Sequence, residues 1–529
     1  VEAGLAVLTA GGSAADAAVA VQLVLNLVEP QSSGLGGGAF ALYWDPATQR
    51  LRSFDGRETA PAAAKPDRFL KDGKLVSYEE AVLSGLSIGT PGTLRLLEAL
   101  HKAYGRLPWD QVIAPAIDIA EGGFRVSPRL FRLLSGQPAE SFSPAARAYF
   151  FSSNASPWPE GHLLRNTDFA LTLRMIAERG AAAFYSGPIA EKIVAAAKGA
   201  PNRAGDLSLD DLKAYKVIER PPLCVPYRTF KVCSMGPPSS GGIVVAQTLR
   251  ILEAFDLGKT RRAAMNGRAL HLITEAEKLA YADRNRYVAD PDVVPLPPRL
   301  LDEAYLAKRR ALVDAARAMP PPPAGQPEDV GARAQGADAT EEMAGTSHFS
   351  IVDKDGAVLS FTTTIEAGFG SRVWAAGFLL NNELTDFSLR PADASGRAVA
   401  NAVGPSKRPR SSMAPTVIFD AAGRPWASLG SVGGNRIPLY VIKTIVALID
   451  WQLDAQDAAA LMNFGSRGGP VEIEIDDPKA IWHALKLKPL GHRILTDTLT
   501  SGTQVILRRA DGTLQGGADP RREGIARGD

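Results

Sequence analysis

The 529-residue chain carries 59 Lys and Arg against 57 Asp and Glu, a formal net charge of +2. Its 45% hydrophobic and 22% charged residues are ordinary globular usage and exclude a disordered acidic or basic tail protein. No basic stripe of the kind that nucleic acid requires is visible. At roughly 150 residues per domain the length suggests three or four domains, or one large layered domain.

The longest apolar run, 17–28, is broken by Gln22 and Asn26. It falls short of the about 20 residues a membrane helix needs, so no span is expected. The first residue is Val1 rather than Met, so the natural N-terminus, with any signal peptide, is expected upstream. The histidines are His101, His162, His271, His348, His483 and His492. No two stand at metal-ligand spacing, so neither a metal nor a cofactor is expected.

Residues 1–30 read as helix, with Ser13 and Asp16 at capping-box spacing. Gly34-Leu35-Gly36-Gly37-Gly38 then breaks the pattern before a strand over 39–44. This run lacks the G-x-G-x-x-G register and follows a helix, so it is a turn rather than a dinucleotide loop. Residues 91–135 are mostly helical, and 165–218 alternate helix and loop. Residues 222–234 form a hairpin around Pro226-Tyr227-Arg228. A turn at 237–242 opens a helix over 243–255, and another covers 270–286.

Composition then shifts. Residues 318–344 hold a four-proline run and little apolar material beyond Val330 and Met343, which predicts an exposed linker or arm. After Gly345 the chain is β-rich. Hairpins are expected at 347–365, 416–429 and 503–516, with helices over 437–451 and 454–464. Helices followed by hairpins and helices suggest sheets covered by helical layers.

The arm runs straight into Gly345-Thr346-Ser347-His348-Phe349-Ser350, the start of a strand. Were the bond before Thr346 cut, its hydroxyl would lie beside its own α-amine. An α-amine, with a pKa of about 7.7–8, is well placed to be the base for a hydroxyl nucleophile. The alternative is a threonine that merely begins a strand.

Many ordered motifs accompany this junction. They include Gly11-Gly12-Ser13-Ala14-Ala15-Asp16-Ala17, Glu29-Pro30-Gln31-Ser32-Ser33-Gly34 and Asp55-Gly56-Arg57-Glu58-Thr59-Ala60-Pro61. Pro237-Pro238-Ser239-Ser240-Gly241-Gly242, Leu380-Asn381-Asn382, Ser411-Ser412-Met413-Ala414-Pro415, Gly433-Gly434-Asn435-Arg436 and Asp519-Pro520-Arg521 follow. Through them almost the whole chain resembles the γ-glutamyltransferase (glutathione hydrolase) family of N-terminal-nucleophile hydrolases. The resemblance implies an α+β fold, an αββα sandwich formed jointly by two subunits after self-cleavage between Gly345 and Thr346. Residues 1–345 would be the large subunit, with 318–345 its exposed arm, and 346–529 the small catalytic subunit of a heterodimer.

It also implies roles. Thr346 Oγ would attack the γ-carbonyl of glutathione or another γ-glutamyl donor, and water or an amino acid or peptide would accept the acyl group. Thr364 would support the nucleophile. Gly433 and Gly434 would offer oxyanion N–H groups, which suits a bare backbone. Arg57, Ser411 and Ser412 would hold the substrate α-carboxylate, a guanidinium fork being the right shape for it. Glu366, Glu383 and Asp386 would hold the α-ammonium. Many bacterial members carry Asn and Gln where this chain has Glu366 and Glu383; others, resembling Gram-positive enzymes, carry Glu at both. Three carboxylates favour a cationic amine, and repulsion would leave one protonated. They oppose an acyl group without an amine, since unpaired buried carboxylates are costly.

Where lidded members place an aromatic over the pocket, 388–403 has no Tyr, Trp or Phe, so a short lid and an open acceptor side are expected. His348 is expected to be a hydrogen-bonded structural residue, because the family base is the threonine amine. Two rivals stand beside the leading reading: an acylase of the same family acting on glutaryl or β-lactam-type amides, and an unprocessed non-catalytic homologue.

Cys224 and Cys233 flank the hairpin turn. If it centres near Arg228-Thr229, they face each other with Cβ atoms about 4.5–5.5 Å apart, close to bridging distance. They would form a disulfide or remain two small buried hydrophobes. The resemblance suggests a periplasmic or secreted protein, where a bridge would persist.

Overall fold

The structure is a computed structural model and describes residues 1–327, 335–340, 342–343 and 345–528. Part of the arm expected over 318–345 therefore lies outside the described residues. The N-terminal helix is two helices, Glu2–Thr9 and Ala14–Val28. Gly11, at φ 92°, turns the chain between them, and Ser13 starts the second from an extended conformation. The expected capping box forms there: Ser13 Oγ accepts from Asp16 N at 3.2 Å and Asp16 Oδ2 from Ser13 N at 2.8 Å.

Two antiparallel sheets make the centre. The first runs in the order Gly345–Val352, Val358–Glu366, Gly38–Asp45, Arg50–Gly56, Ile218–Arg220. Its middle thus joins strands from opposite ends of the chain. The strand Arg50–Gly56, which the sequence pattern did not reveal, ends one residue before Arg57 and so delivers it to the interior. The second sheet runs Leu514–Ala518, Gln504–Arg508, Pro425–Gly430, Thr416–Phe419, Phe230–Ser234, Leu223–Tyr227.

The sheets meet face to face through small polar side chains. Ser360 Oγ donates to Leu429 O at 3.0 Å and Ser428 Oγ to Ser350 Oγ at 2.9 Å. The His348 ring fills the space that a Cβ on Gly430 would need, 2.3 Å away. Helices cover the outer faces. Ala14–Val28, Thr93–Tyr104 and Trp109–Gly122 bury Leu23, Leu97 and Ile113 in one core with Tyr43 and Phe361 of the first sheet. Gly241–Leu252, Gly267–Tyr287 and Ile437–Ile449 bury Leu249, Ile273 and Ile442 in another with Ile418 and Leu429 of the second. At about 1.5–3 kcal/mol per buried large apolar side chain, these two cores are the main favourable term. The result is the expected αββα layering.

The helix expected over 454–464 stops at Ala460. Asn463 ends it by donating its side-chain amide to Leu499 O and Ser501 Oγ, and Phe464–Gly465 turns to pair with Val471–Glu474. No described helix is long and apolar enough to cross a membrane.

Cys224 stands opposite Cys233 in the hairpin, and the two are joined as a disulfide. The bridge ties the edge strand to its neighbour and closes a short loop. Replacing both cysteines by alanine is expected to lower unfolding free energy by no more than about 3 kcal/mol. Denaturant titration checks this, and intact mass with and without reductant checks the bridge itself.

Candidate active site

Thr346 lies near the head of the strand Gly345–Val352, buried, directly opposite Thr364. Thr346 Oγ1 donates to Thr364 Oγ1 at 3.4 Å. The Thr364 hydroxyl in turn donates to Gly345 O at 2.6 Å and accepts from Glu366 N at 2.8 Å. With its one proton committed to Gly345 O, Thr364 can only accept from Thr346. It is therefore placed to orient the Thr346 hydroxyl and to polarise the Gly345 carbonyl. Arg522, which the sequence reading did not single out, donates to Thr346 O at 3.0 Å.

His348 takes no part in this network. Its Nδ1 bonds Thr362 Oγ1 at 2.8 Å and its Nε2 bonds Ser350 Oγ at 3.3 Å. Burial pushes its pKa down to about 3, so the ring is neutral and structural, as expected.

Gly433 and Gly434 have φ of 137° and 58°, in the region that favours glycine. They open the turn Gly434–Arg436 that leads into the helix Ile437–Ile449, whose N-terminal dipole end favours negative charge. A Cβ on Gly434 would lie 2.3 Å from Glu342 O and 2.5 Å from Met343 O. The bare backbone here thus meets the chain just ahead of Gly345.

Arg57 is fully buried. Its Nη1 pairs with Glu383, its Nη2 donates to Asp386 Oδ2 at 2.5 Å and Arg410 O at 2.8 Å, and its Nε donates to Pro409 O at 3.1 Å. Glu58 lies 3.9 Å from Nη1. Glu366 accepts from Asn382 Nδ2 at 2.5 Å, Met343 N at 2.8 Å and Tyr78 OH at 3.2 Å. One guanidinium therefore sits among four buried carboxyls. Burial holds Glu366, Glu383 and Asp386 above the usual carboxylate range, and repulsion adds to it: from Glu342 on Glu366, from Glu342 and Glu366 on Asp386, and from Glu58, Asp386 and Glu366 on Glu383. Burial likewise pushes Glu58 up to about 7. Asp386 Oδ1 has no hydrogen-bond partner among the described residues.

Ser411 and Ser412 border the same region. Ser411 Oγ accepts from Met413 N at 3.2 Å, and Ser412 Oγ accepts from Arg284 Nη2 at 2.9 Å. Arg284 also pairs with Glu342, and Arg410 with Asp338 at 2.8 Å. None of these four charged residues emerged from the sequence reading. The end of the arm is exposed only in part: Asp338 and Glu342 are buried, held by these guanidiniums, while Ala337, Ala339 and Met343 are exposed as expected. The stretch Pro320, Pro321 and Pro323 is exposed as expected.

Away from this site the fold gathers His271, Glu275 and His492, which sequence spacing did not bring together. His271 shares hydrogen bonds with His492 Nε2 and with Asp314 O, each at 2.7 Å. Glu275 accepts from Lys278 Nζ and Met319 N, also at 2.7 Å. Lys278 thus supplies the positive charge beside Glu275, and the group ties the base of the arm to the helix Gly267–Tyr287.

The two-sheet core between helical layers is the architecture of N-terminal-nucleophile hydrolases. A cephalosporin acylase from Bacillus halodurans superimposes with a TM-score of 0.85 at 28% identity, covering 99% of this chain and 93% of that one. The gamma-glutamyltranspeptidase family model matches residues 1–528, and the chain belongs to that family. It is 36% identical to the glutathione hydrolase proenzyme of Escherichia coli, over 98% of this chain and 88% of that protein. It is 35% identical to the Bacillus subtilis glutathione hydrolase proenzyme, over 100% and 89%.

Thr346→Ala is expected to remain one chain. Thr364→Val removes the donor to Gly345 O, a loss of about 1–3 kcal/mol, and should slow cleavage by roughly 10- to 100-fold. Timed denaturing gels of purified protein read both; undiminished splitting of either variant at Gly345–Thr346 contradicts the assignment.

Proposed function

We propose that this chain is a γ-glutamyl hydrolase/transferase, matured by its own cleavage at Gly345–Thr346 into a heterodimer of 1–345 and 346–529. The observation that carries the donor class is the excess of buried carboxyl around Arg57. Glu366, Glu383 and Asp386 make a pocket that is balanced by a cation, and the α-ammonium of a γ-glutamyl group is one. An acyl group without an amine leaves that charge unanswered, which argues against the acylase reading.

In the proposed reaction the freed α-amine of Thr346 takes the Oγ proton as Oγ attacks the γ-carbonyl. The Gly433 and Gly434 N–H groups receive the oxyanion, the C–N bond breaks, and the proton passes to the leaving amine. Water or an acceptor amine then cleaves the Thr346 ester. Thr364 holds the nucleophile, while Arg57, Ser411 and Ser412 serve the α-carboxylate. The donors are glutathione or other γ-glutamyl amides, with water, amino acids or peptides as acceptors. We place the protein in the periplasm or outside the cell; the Cys224–Cys233 bridge supports an oxidising compartment.

Comparing γ-glutamyl and glutaryl anilides decides the donor class, since the second lacks only the amine; equal or better turnover of the glutaryl compound rejects this reading. The raised pKa values set a pH dependence. The carboxyls lose charge on acidification sooner than ordinary carboxylates do, so KM for the γ-glutamyl donor should rise on acidification well before the ordinary carboxylate range is reached. A glutaryl donor should show no such rise. Separately, Arg57→Lys keeps the charge but loses the fork that orders Glu383 and Asp386. KM for a γ-glutamyl donor should rise about 10-fold or more, and an unchanged KM removes Arg57 from the site.

A further inference from the structure

Two buried guanidiniums beside the site pair with acids of the arm. Arg284 and Arg410 side chains are 2% and 0% exposed. Among the described residues, Arg284 has Glu342 as its acidic partner; Arg410 has Asp338 at 2.8 Å and Glu342 at 3.7 Å. The contact to Asp338 is close but misdirected: Nε, Nη1 and Nη2 of Arg410 are all buried without a well-aligned hydrogen bond. Both acids precede Gly345, so they belong to the segment that a cut at Gly345–Thr346 sets free. Without the arm in place, Arg284 would keep only uncharged partners among the described residues, Ser240, Asn285 and Ser412, and Arg410 would lose its two nearest acids and keep Asp386 farther off, which leaves buried positive charge poorly answered.

The placement of the arm tells what replaces it. The Gly345 carbonyl is the first acyl group that Thr346 meets, so the residues just before it occupy the acyl side of the site. There the Glu342 carboxylate touches Arg284, which also donates to Ser412 Oγ at 2.9 Å. The next residue, Met343, gives its N–H to Glu366 at 2.8 Å. Adjacent residues of the arm thus set a carboxylate on a basic wall and an N–H donor on an acidic one. An α-amino acid head group presents the same two features, carboxylate and ammonium, in the same pairing. A cavity of about 240 Å³ borders Arg284, with Asp338 and Thr340 of the arm in its wall.

We propose that Arg284 and Arg410 bind the donor α-carboxylate in the place Glu342 vacates, and that Glu342–Met343 is a built-in stand-in for the donor head group. They act beside Arg57, four of whose five N–H groups already bond Glu383, Asp386 and two backbone carbonyls. The inference rests on acyl transfer at Thr346 from the reading above, but not on the donor carrying an amine.

Three anilides separate the issues: γ-glutamyl, glutaryl (carboxylate without amine) and 4-aminobutyryl (amine without carboxylate). The mature wild-type enzyme is expected to favour the γ-glutamyl over the 4-aminobutyryl compound in kcat/KM. In Arg410→Gln that preference should fall by about 10-fold or more, chiefly through KM, with Arg410→Lys between. A preference undiminished in Arg410→Gln overturns the proposal. If the glutaryl anilide proves the better substrate, the γ-glutamyl reading fails. The carboxylate site still stands, provided Arg410→Gln also erodes the preference for glutaryl over 4-aminobutyryl. Should Arg410→Gln fail to mature, calorimetric binding of L-glutamate, glutarate and 4-aminobutyrate to wild-type and Arg410→Lys protein decides. Binding of 4-aminobutyrate as tightly as L-glutamate in the wild type, or an unaltered order and spacing of affinities in Arg410→Lys, overturns the proposal.

Discussion

Every feature of the site depends on the register in which Thr346 faces Thr364. A slip of one residue would turn Thr346 to the opposite face of the sheet and take its hydroxyl away from the carbonyl it must attack. The register is held from the other side by the strand Gly38–Asp45, which pairs with Val358–Glu366 along its length. At its head, a Cβ on Gly37 would lie 1.9 Å from Thr364 O, so the approach there tolerates no side chain. A strand within the first forty-five residues thus helps to position Thr346, three hundred residues away. This is why the two halves must fold as one body before any cut can be made between them.

Around that fixed point the protein accumulates buried charge, which is ordinarily destabilising. With the arm docked, Arg57, Arg284 and Arg410 face Glu58, Glu366, Glu383, Asp386, Asp338 and Glu342. The acids outnumber the guanidiniums, and burial with repulsion raises the pKa values of Glu58, Glu366, Glu383 and Asp386, so a cation brought among them is favoured. Losing Asp338 and Glu342 removes two of the negative groups and leaves Arg284 and Arg410 wanting an anion while Glu366 and Asp386 want a cation. A zwitterion answers both demands at once. The unsatisfied pocket is therefore stable only while something occupies it: first the arm, then a ligand or solvent.

Much of this was readable from local signals. The Ser13 cap, the hairpin turns at Asp355-Gly356 and Asp511-Gly512, and the opposition of Cys224 and Cys233 each depend on residues near one another in the chain. Thr346 stood out because a polar arm meets a strand there, and the family motifs then supplied the site residues around it. The strand Arg50–Gly56 was hidden because its exposed start is charged and only its end is buried. The arm was misjudged for a different reason. Its lack of apolar residues predicts exposure, yet Asp338 and Glu342 are buried by charge, and their partners lie 72 and 58 residues away in the chain. Ion pairing at that separation leaves no periodic trace, so Arg410 reads as a loop arginine before two serines.

The resemblance to both glutathione hydrolases and a cephalosporin acylase has a physical basis in this arrangement. In the proposed reaction Thr346, Thr364, Gly433 and Gly434 act on the carbonyl and are indifferent to what the acyl chain carries further along. Choice of substrate falls to the walls beyond, where one side is cationic and the other anionic. A change confined to the acidic wall would abolish the demand for an amine while leaving the nucleophile and its register untouched. In this chain the acidic wall is fully built, with Asp386 Oδ1 still lacking a hydrogen-bond partner among the described residues. An unmade buried acceptor is costly to keep, and an N–H donor on the proposed ligand would complete it.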